Sequence, residues 1–252
     1  MGKYLEKVIT ITSGKGGVGK TIFMLNLAGI LVKLEKRVLI IDCDFLGGGV
    51  TVDLNLRPKK TVFNISDSLL GNYYDNYKEY ITRYLPNLDV VASVKDPRFA
   101  NKIDIKTILS FIEDARTNYD FILIDTTSGL TMDNLNLITK SDCVLYIMNN
   151  DIMDIKNTAN YFEVMNTLEE NNKYRIILNN SRDVNLNYFS NYEIKKAIDR
   201  NIDYSIDKSL YIKNITAFLI EGEIFTLNKS LTFKEKKDLY KLERLANDLM
   251  EV

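Results

Sequence analysis

Short runs of unbroken apolar sequence, rich in β-branched residues, recur along this chain: "KVITIT", "RVLIID", "LDVVAS", "DFILID", "CVLYIM" and "YRIIL". A strand with one wet face alternates apolar and polar side chains. These runs do not alternate, so each is expected to be covered on both faces. Helical periodicities lie between them. Ile22, Leu25, Ala28, Leu31 and Leu34 follow close to helical spacing, and "IDIKTILSFIEDAR" and "DIMDIKNTANYFEVMNTLEE" read as amphipathic helices. Strands alternating with helices leave few solutions. The pattern predicts a three-layer α/β fold, a mainly parallel central sheet with helices on both faces.

No linker divides the chain. Its prolines are Pro58, Pro86 and Pro97, and no Gly/Ser-rich tract appears, so one domain over residues 1–252 is expected. "NYYDNYKEYITRY" places Tyr73, Tyr77, Tyr80 and Tyr84 at helical spacing, which predicts a helix with its tyrosine stripe on the sheet. The C-terminal "FKEKKDLYKLERLANDLMEV" puts Leu239, Leu242, Leu245, Ala246 and Leu249 on one face and mixes Lys with Glu and Asp on the other. A lipid-binding helix is cationic on its polar side. This one is expected to pack on the domain, with weak or no direct membrane binding.

Composition removes further options. There are 0 histidines, which excludes imidazole catalysis and histidine-ligated metal. Cys43 and Cys143 sit in apolar runs and read as buried small hydrophobes of a reducing compartment. A net charge of -1 offers no basic surplus for nucleic acid or anionic lipid. The N-terminus runs straight into a strand pattern without an apolar signal core, and no stretch approaches the length of a membrane span. A cytoplasmic protein is expected.

The chemistry gathers behind the first strand. Gly14-Lys15-Gly16-Gly17-Val18-Gly19-Lys20-Thr21 satisfies the G-x-x-x-x-G-K-[ST] pattern, directly after a strand and opening a helix. Glycines let successive backbone N–H groups face phosphate oxygens, and the helix N-terminus behind them adds a favourable dipole. Lys20 is placed to reach the β- and γ-phosphates and the Thr21 hydroxyl to ligate Mg²⁺. Nucleotide phosphates with Mg²⁺ are therefore the expected ligands. Lys15 is surplus to that pattern.

The form K-G-G-x-G-K-T resembles the deviant phosphate loop of the MinD/ParA family. The resemblance implies that Lys15 crosses a homodimer interface in the ATP state and contacts the partner subunit's phosphates, stabilising the transferring phosphoryl group as an arginine finger does. It also implies that the nucleotide is ATP or ADP, and that ATP hydrolysis is slow and stimulated by a partner. "VLIIDCDFLGGG" matches the family's D-x-D, which puts Asp42 near Mg²⁺ and gives Asp44 the attacking water. "FILIDTTSGL" matches the Walker B strand and its switch, with Asp125 on Mg²⁺ through water and Gly129 sensing the γ-phosphate. "RIILNN" points to Asn179 at the adenine edge, and "YSID" to Asp207 in the loop against the base.

The match has departures. Thr127 stands where relatives carry a switch proline, "NND" replaces a "TTP"-like turn after the fifth strand, Asn180 replaces an arginine, and Ser205 replaces the proline before Asp207. Among subclasses, the sequence is most similar to pilus-localising ATPases of CpaE/TadZ type and to flagellar-number regulators of FlhG type. That implies an ATP-switched dimer positioning a cellular assembly, recruited to the cell pole or inner membrane face by a protein partner or activator. DNA partition of ParA type is the alternative, disfavoured by the charge, and a non-hydrolysing ATP-bound dimeric scaffold is a third.

Overall fold

The computed structural model describes residues 6–168, 173–180, 189–206, 221–228 and 233–251, with side chains described up to 228 and from 239 onward. Its strands are β1 (Lys7–Thr12), β2 (Val38–Cys43), β3 (Thr82–Leu85), β4 (Leu88–Val91), β5 (Phe121–Thr126), β6 (Cys143–Met148), β7 (Tyr174–Asn179) and β8 (Tyr204–Ile206). They form one sheet in the order β3-β4-β2-β5-β1-β6-β7-β8. Every pairing is parallel except β3 with β4. The expected three-layer fold is what forms.

The helices are α1 (Lys20–Lys33), α2 (Val50–Asp53), α3 (Val62–Leu70), α4 (Ile105–Arg116), α5 (Met132–Lys140), α6 (Ile152–Thr167), α7 (Asn191–Ile198) and α8 (Phe233–Glu251). Alternate strand residues feed opposite faces, because successive strand side chains point opposite ways. Ile9, Ile11, Val38, Ile40, Leu123 and Leu145 join one core with α1 and α8. On the other face Val8, Leu39, Ile41 and Ile124 pack with α3 and α4, while Val144, Tyr146 and Met148 pack with α6 and α7. Leu239, Leu242, Leu245, Ala246 and Leu249 are all buried, so the apolar face of α8 packs on the sheet layer beside α1. Among the described residues no helix is long and apolar enough to cross a membrane. Cys43 is buried as expected, whereas Cys143, the first residue of β6, is only partly buried against the core; both are free thiols.

The helix expected over "NYYDNYKEYITRY" does not form. The chain leaves α3 through Asn72 in the left-handed region (φ 58), and Asn76 caps a three-residue 3₁₀ turn, accepting the Lys78 N–H. Thr82–Leu85 then becomes the antiparallel edge strand β3. Asn and Asp satisfy local backbone groups and so favour turns over helix interiors. Tyr77 and Tyr80 are buried all the same, the Tyr80 hydroxyl donating to Ser68 Oγ at 2.7 Å. Tyr73 is exposed.

Candidate functional site

β1 is central, flanked by β5 and β6, and the loop leaving its C-terminal end opens over the crevice where parallel α/β sheets take ligands. Gly17 (φ 73) and Gly19 (φ 97) hold left-handed backbone that other residues adopt at a cost, and Gly19 turns the chain into α1. Val18 anchors the loop in the core. Lys20 is buried, its ammonium donating to Ser13 Oγ at 3.2 Å, and Ser13 Oγ donates to the Lys15 carbonyl at 2.7 Å. The sequence reading missed Ser13 as the brace between the two lysines.

Thr21, the residue after Lys20, donates its hydroxyl to Asp125 Oδ2 at 2.5 Å. Asp125, one residue before the end of β5, is in register with Asp42 of β2, so two buried carboxylates lie on neighbouring strands. Burial pushes the Asp125 carboxyl up to about 6, with the Thr21 hydrogen bond and the Lys20 charge pulling the other way. Burial, and then the Asp125 charge, push Asp42 well up too. Asp125 Oδ1 is buried without a hydrogen-bond partner among the described residues. A divalent cation fits that orphaned oxygen. No three Asp, Glu or Cys side chains converge among the described residues, so the ion would share Thr21 and Asp125 with phosphate oxygens and water, as Mg²⁺ at nucleotide sites does.

Asp42 is occupied with its own loop, Oδ1 accepting the Asp44 N–H at 3.1 Å and Oδ2 the Val50 N–H at 3.2 Å. Asp44 turns back as well, Oδ1 accepting the Gly47 N–H at 3.0 Å, while its carbonyl accepts the Ser93 hydroxyl at 2.9 Å. Gly129 (φ 86) donates its N–H to the Ser13 carbonyl at 2.7 Å, which brings the segment after β5 alongside the phosphate loop. That segment lacks the family's proline. Buried Asn134 holds it instead, donating to the Thr127 and Gly129 carbonyls at 3.0 and 2.7 Å. An asparagine inside an amphipathic helix carries no sequence signal for this.

Asn179, at the end of β7, donates its amide to the Val18 carbonyl at 2.8 Å. It thus reaches the phosphate loop. Asp207 lies outside the described residues; Ser205 falls within β8 and accepts from Asn180 Nδ2 at 3.0 Å.

Lys15 has a partner different from that of Lys20. Its ammonium pairs at 3.0 Å with Asp151, whose side chain also caps α6 through the Met153 and Asp154 N–H groups. Burial works against the charge on Asp151, but the Asp154 N–H and the Lys15 hydrogen bond outweigh it and hold the carboxyl below its ordinary range. The "NND" that departs from the family's turn therefore supplies the carboxylate that receives Lys15.

A glycine-lined turn between a central parallel strand and a helix, with a buried lysine beside a hydroxyl–carboxylate pair, defines a P-loop nucleotide-binding protein. The comparisons go further. The family model described as an AAA domain (AAA_31) matches residues 6–179. The septum site-determining protein MinD of Synechocystis sp. is 26% identical over 179 residues, covering 71% of this chain and 66% of that protein. Two further curated relatives are covered over 46% and 56% of their length, so the match spans about half to two thirds of these proteins. A ParA family ATPase from Chlorobium tepidum shares the fold at TM-score 0.80 and 18% identity, over 96% of this chain and 99% of that one. MinD of Pyrococcus horikoshii, complexed with Mg-ADP, does so at TM-score 0.77 and 21% identity, over 96% of each. The chain belongs to the MinD/ParA family of P-loop ATPases.

Proposed function

We propose that this chain is a slow ATPase that works as an ATP-switched homodimer and positions another cellular assembly. Lys20 and the loop N–H groups hold the β- and γ-phosphates. Thr21 and Asp125 would hold Mg²⁺, which would screen phosphate charge, and Asp42 keeps the neighbouring loop in place through the Asp44 and Val50 N–H groups. Asp44 leaves its Gly47 contact to orient the attacking water. A carboxylate is a weak base, so positioning is the role it can fill. Gly129 moves with the γ-phosphate. Asn179 exchanges Val18 for the adenine edge, where its amide offers both donor and acceptor.

The observation that carries the reading is Lys15: a second cation on the phosphate loop, half-exposed and seated on Asp151 instead of among the loop's own N–H groups. Paired there, it is not engaged with the Lys20 seat of its own subunit. Across a dimer it supplies charge to the partner's phosphoryl group, a contribution on the order of a thousandfold or more in rate in comparable systems. The name of the Synechocystis relative, a septum site-determining protein, supports a positioning role. The pilus or flagellar version leads, with a protein partner providing the platform at the cell pole or inner membrane face.

The test is light scattering after gel filtration, with phosphate release, on wild type and three variants. Lys20→Ala should lose ATP binding. Lys15→Ala should bind ATP yet neither dimerise nor hydrolyse. Asp44→Ala should bind and dimerise with ATP uncleaved. A Lys15→Ala protein that dimerises and hydrolyses like wild type refutes the switched dimer.

A further inference from the structure

We propose that Tyr146 is a positioning residue for Lys15: its hydroxyl fixes Gly14, and through Gly14 it sets where the Lys15 side chain begins. The inference rests on the ATPase reading above and concerns how that site is built. Within "CVLYIM" the tyrosine looks like ordinary core, and its ring is core. It is fully buried against Tyr161 and Phe162 of α6, with ring centroids 4.6 and 5.0 Å away.

The hydroxyl does something else. It accepts the Gly14 N–H at 2.8 Å and donates to Thr158 Oγ1 of α6 at 3.2 Å. A buried tyrosine hydroxyl needs partners. Here one partner is the first residue of the phosphate loop. Gly14 is fitted to it closely: a Cβ at that position would stand 2.6 Å from the tyrosine oxygen and 3.3 Å from Asn157 Cβ. The glycine that opens the motif is thus demanded by a protein contact, and its N–H is committed to the protein.

Lys15 follows directly and pairs with Asp151 at the head of the same helix. The loop's first two residues are therefore fastened twice, Gly14 to a β6 hydroxyl that itself donates to α6, and Lys15 to the carboxylate at the head of α6. Lys20 and Thr21 are fastened elsewhere, to Ser13 after β1 and to Asp125 of β5. The two lysines answer to different elements, Lys20 to the centre of the sheet and Lys15 to α6. The position of α6 is in this way coupled to the lysine that serves the partner subunit.

Tyr146→Phe keeps the ring packing and deletes only the hydroxyl, leaving the Gly14 N–H without its acceptor. Misplacing a reacting group by about 1 Å costs up to about a hundredfold in rate. We expect kcat to fall by about tenfold or more, with ATP affinity held at the wild-type value because the Lys20 seat is untouched. The Gly14 amide resonance should lose its slow hydrogen exchange. Thr158→Val leaves Tyr146 on Gly14 but cuts the tie to α6, and it should lower kcat in the same direction even if the phenylalanine variant folds poorly. Unchanged kcat in both variants beside an active wild type overturns the inference, as does a parallel loss of ATP affinity. Wild-type protein that binds no ATP is a different result, and it refutes the reading beneath.

Discussion

Asp154 carries the clearest cost of the site's construction. Its carboxylate is fully buried in the first turn of α6, Oδ2 accepting the Asn149 N–H at 2.6 Å and Oδ1 without a hydrogen-bond partner among the described residues. Burial, helped by the Asp151 charge, pushes it up to about 6, and the Asn149 N–H, with the Lys15 and Lys20 charges, restrains it. The folded protein therefore holds this proton to higher pH than the unfolded chain, whose carboxyl ionises near 4. Stability from this group is fully present below about pH 4 and is lost as pH rises through about 6, by roughly 2–3 kcal/mol. Asp154→Asn should unfold at higher urea than wild type at pH 7.5, and the gap should shrink steadily as pH falls from about 6 toward about 4. A constant gap across that range would assign the effect to packing. Lys15 itself was legible in the sequence, because the loop pattern has no place for it. Its acceptor was not: Asp151 lies 136 residues away, and an acid at a helix start reads as a cap.

At the scale of elements, the strands were legible because a strand covered on both faces has no polar face to interrupt its run. The tyrosine segment was misread for a related reason. Tyr73, Tyr77, Tyr80 and Tyr84 match helical spacing, but Asn72 just before them and Asn76 among them satisfy turns, and burial of Tyr77 and Tyr80 is achieved from a 3₁₀ turn and its exit. Periodicity reports which residues want the core, not the backbone that delivers them. The middle of α1 shows a contact no pattern announces. Thr226 donates its N–H to Asn26 Oδ1 at 3.2 Å and its hydroxyl to the Asn26 carbonyl at 2.9 Å, strapping 224–228 across the helix that opens from the phosphate loop. Gly29 makes room for this strap, since a Cβ there would run into Thr226 Oγ1 and stand 2.8 Å from Ile224 Cγ2. Gly29→Ala gains helix propensity of about 1 kcal/mol, yet overpacking of about 1–3 kcal/mol should win. A lowered melting temperature, partly restored by adding Thr226→Gly, is the expected result. A stabilised single variant would mean the strap yields freely.

The whole molecule is closed by its last helix. Leu242 and Leu245 are buried in the core shared with α1, and buried Lys7 donates to the Leu249 carbonyl at 2.6 Å. Leu242→Ala should cost about 2–5 kcal/mol, read as a shifted urea midpoint with an unchanged slope. A variant with wild-type stability would show α8 to be merely laid on the surface. The same topology has a consequence for synthesis. β1 precedes every other described strand of this sheet yet lies near its centre, and among the described strands its neighbours are β5 and β6. The Thr126 hydroxyl that meets the Ile11 carbonyl is 115 residues downstream. At roughly 5–20 residues per second, a ribosome leaves the glycine loop without either flanking strand for roughly 6–23 s. Until then the nascent chain has a phosphate-binding motif but no cradle, and ATP in the surrounding solution has nothing folded to select.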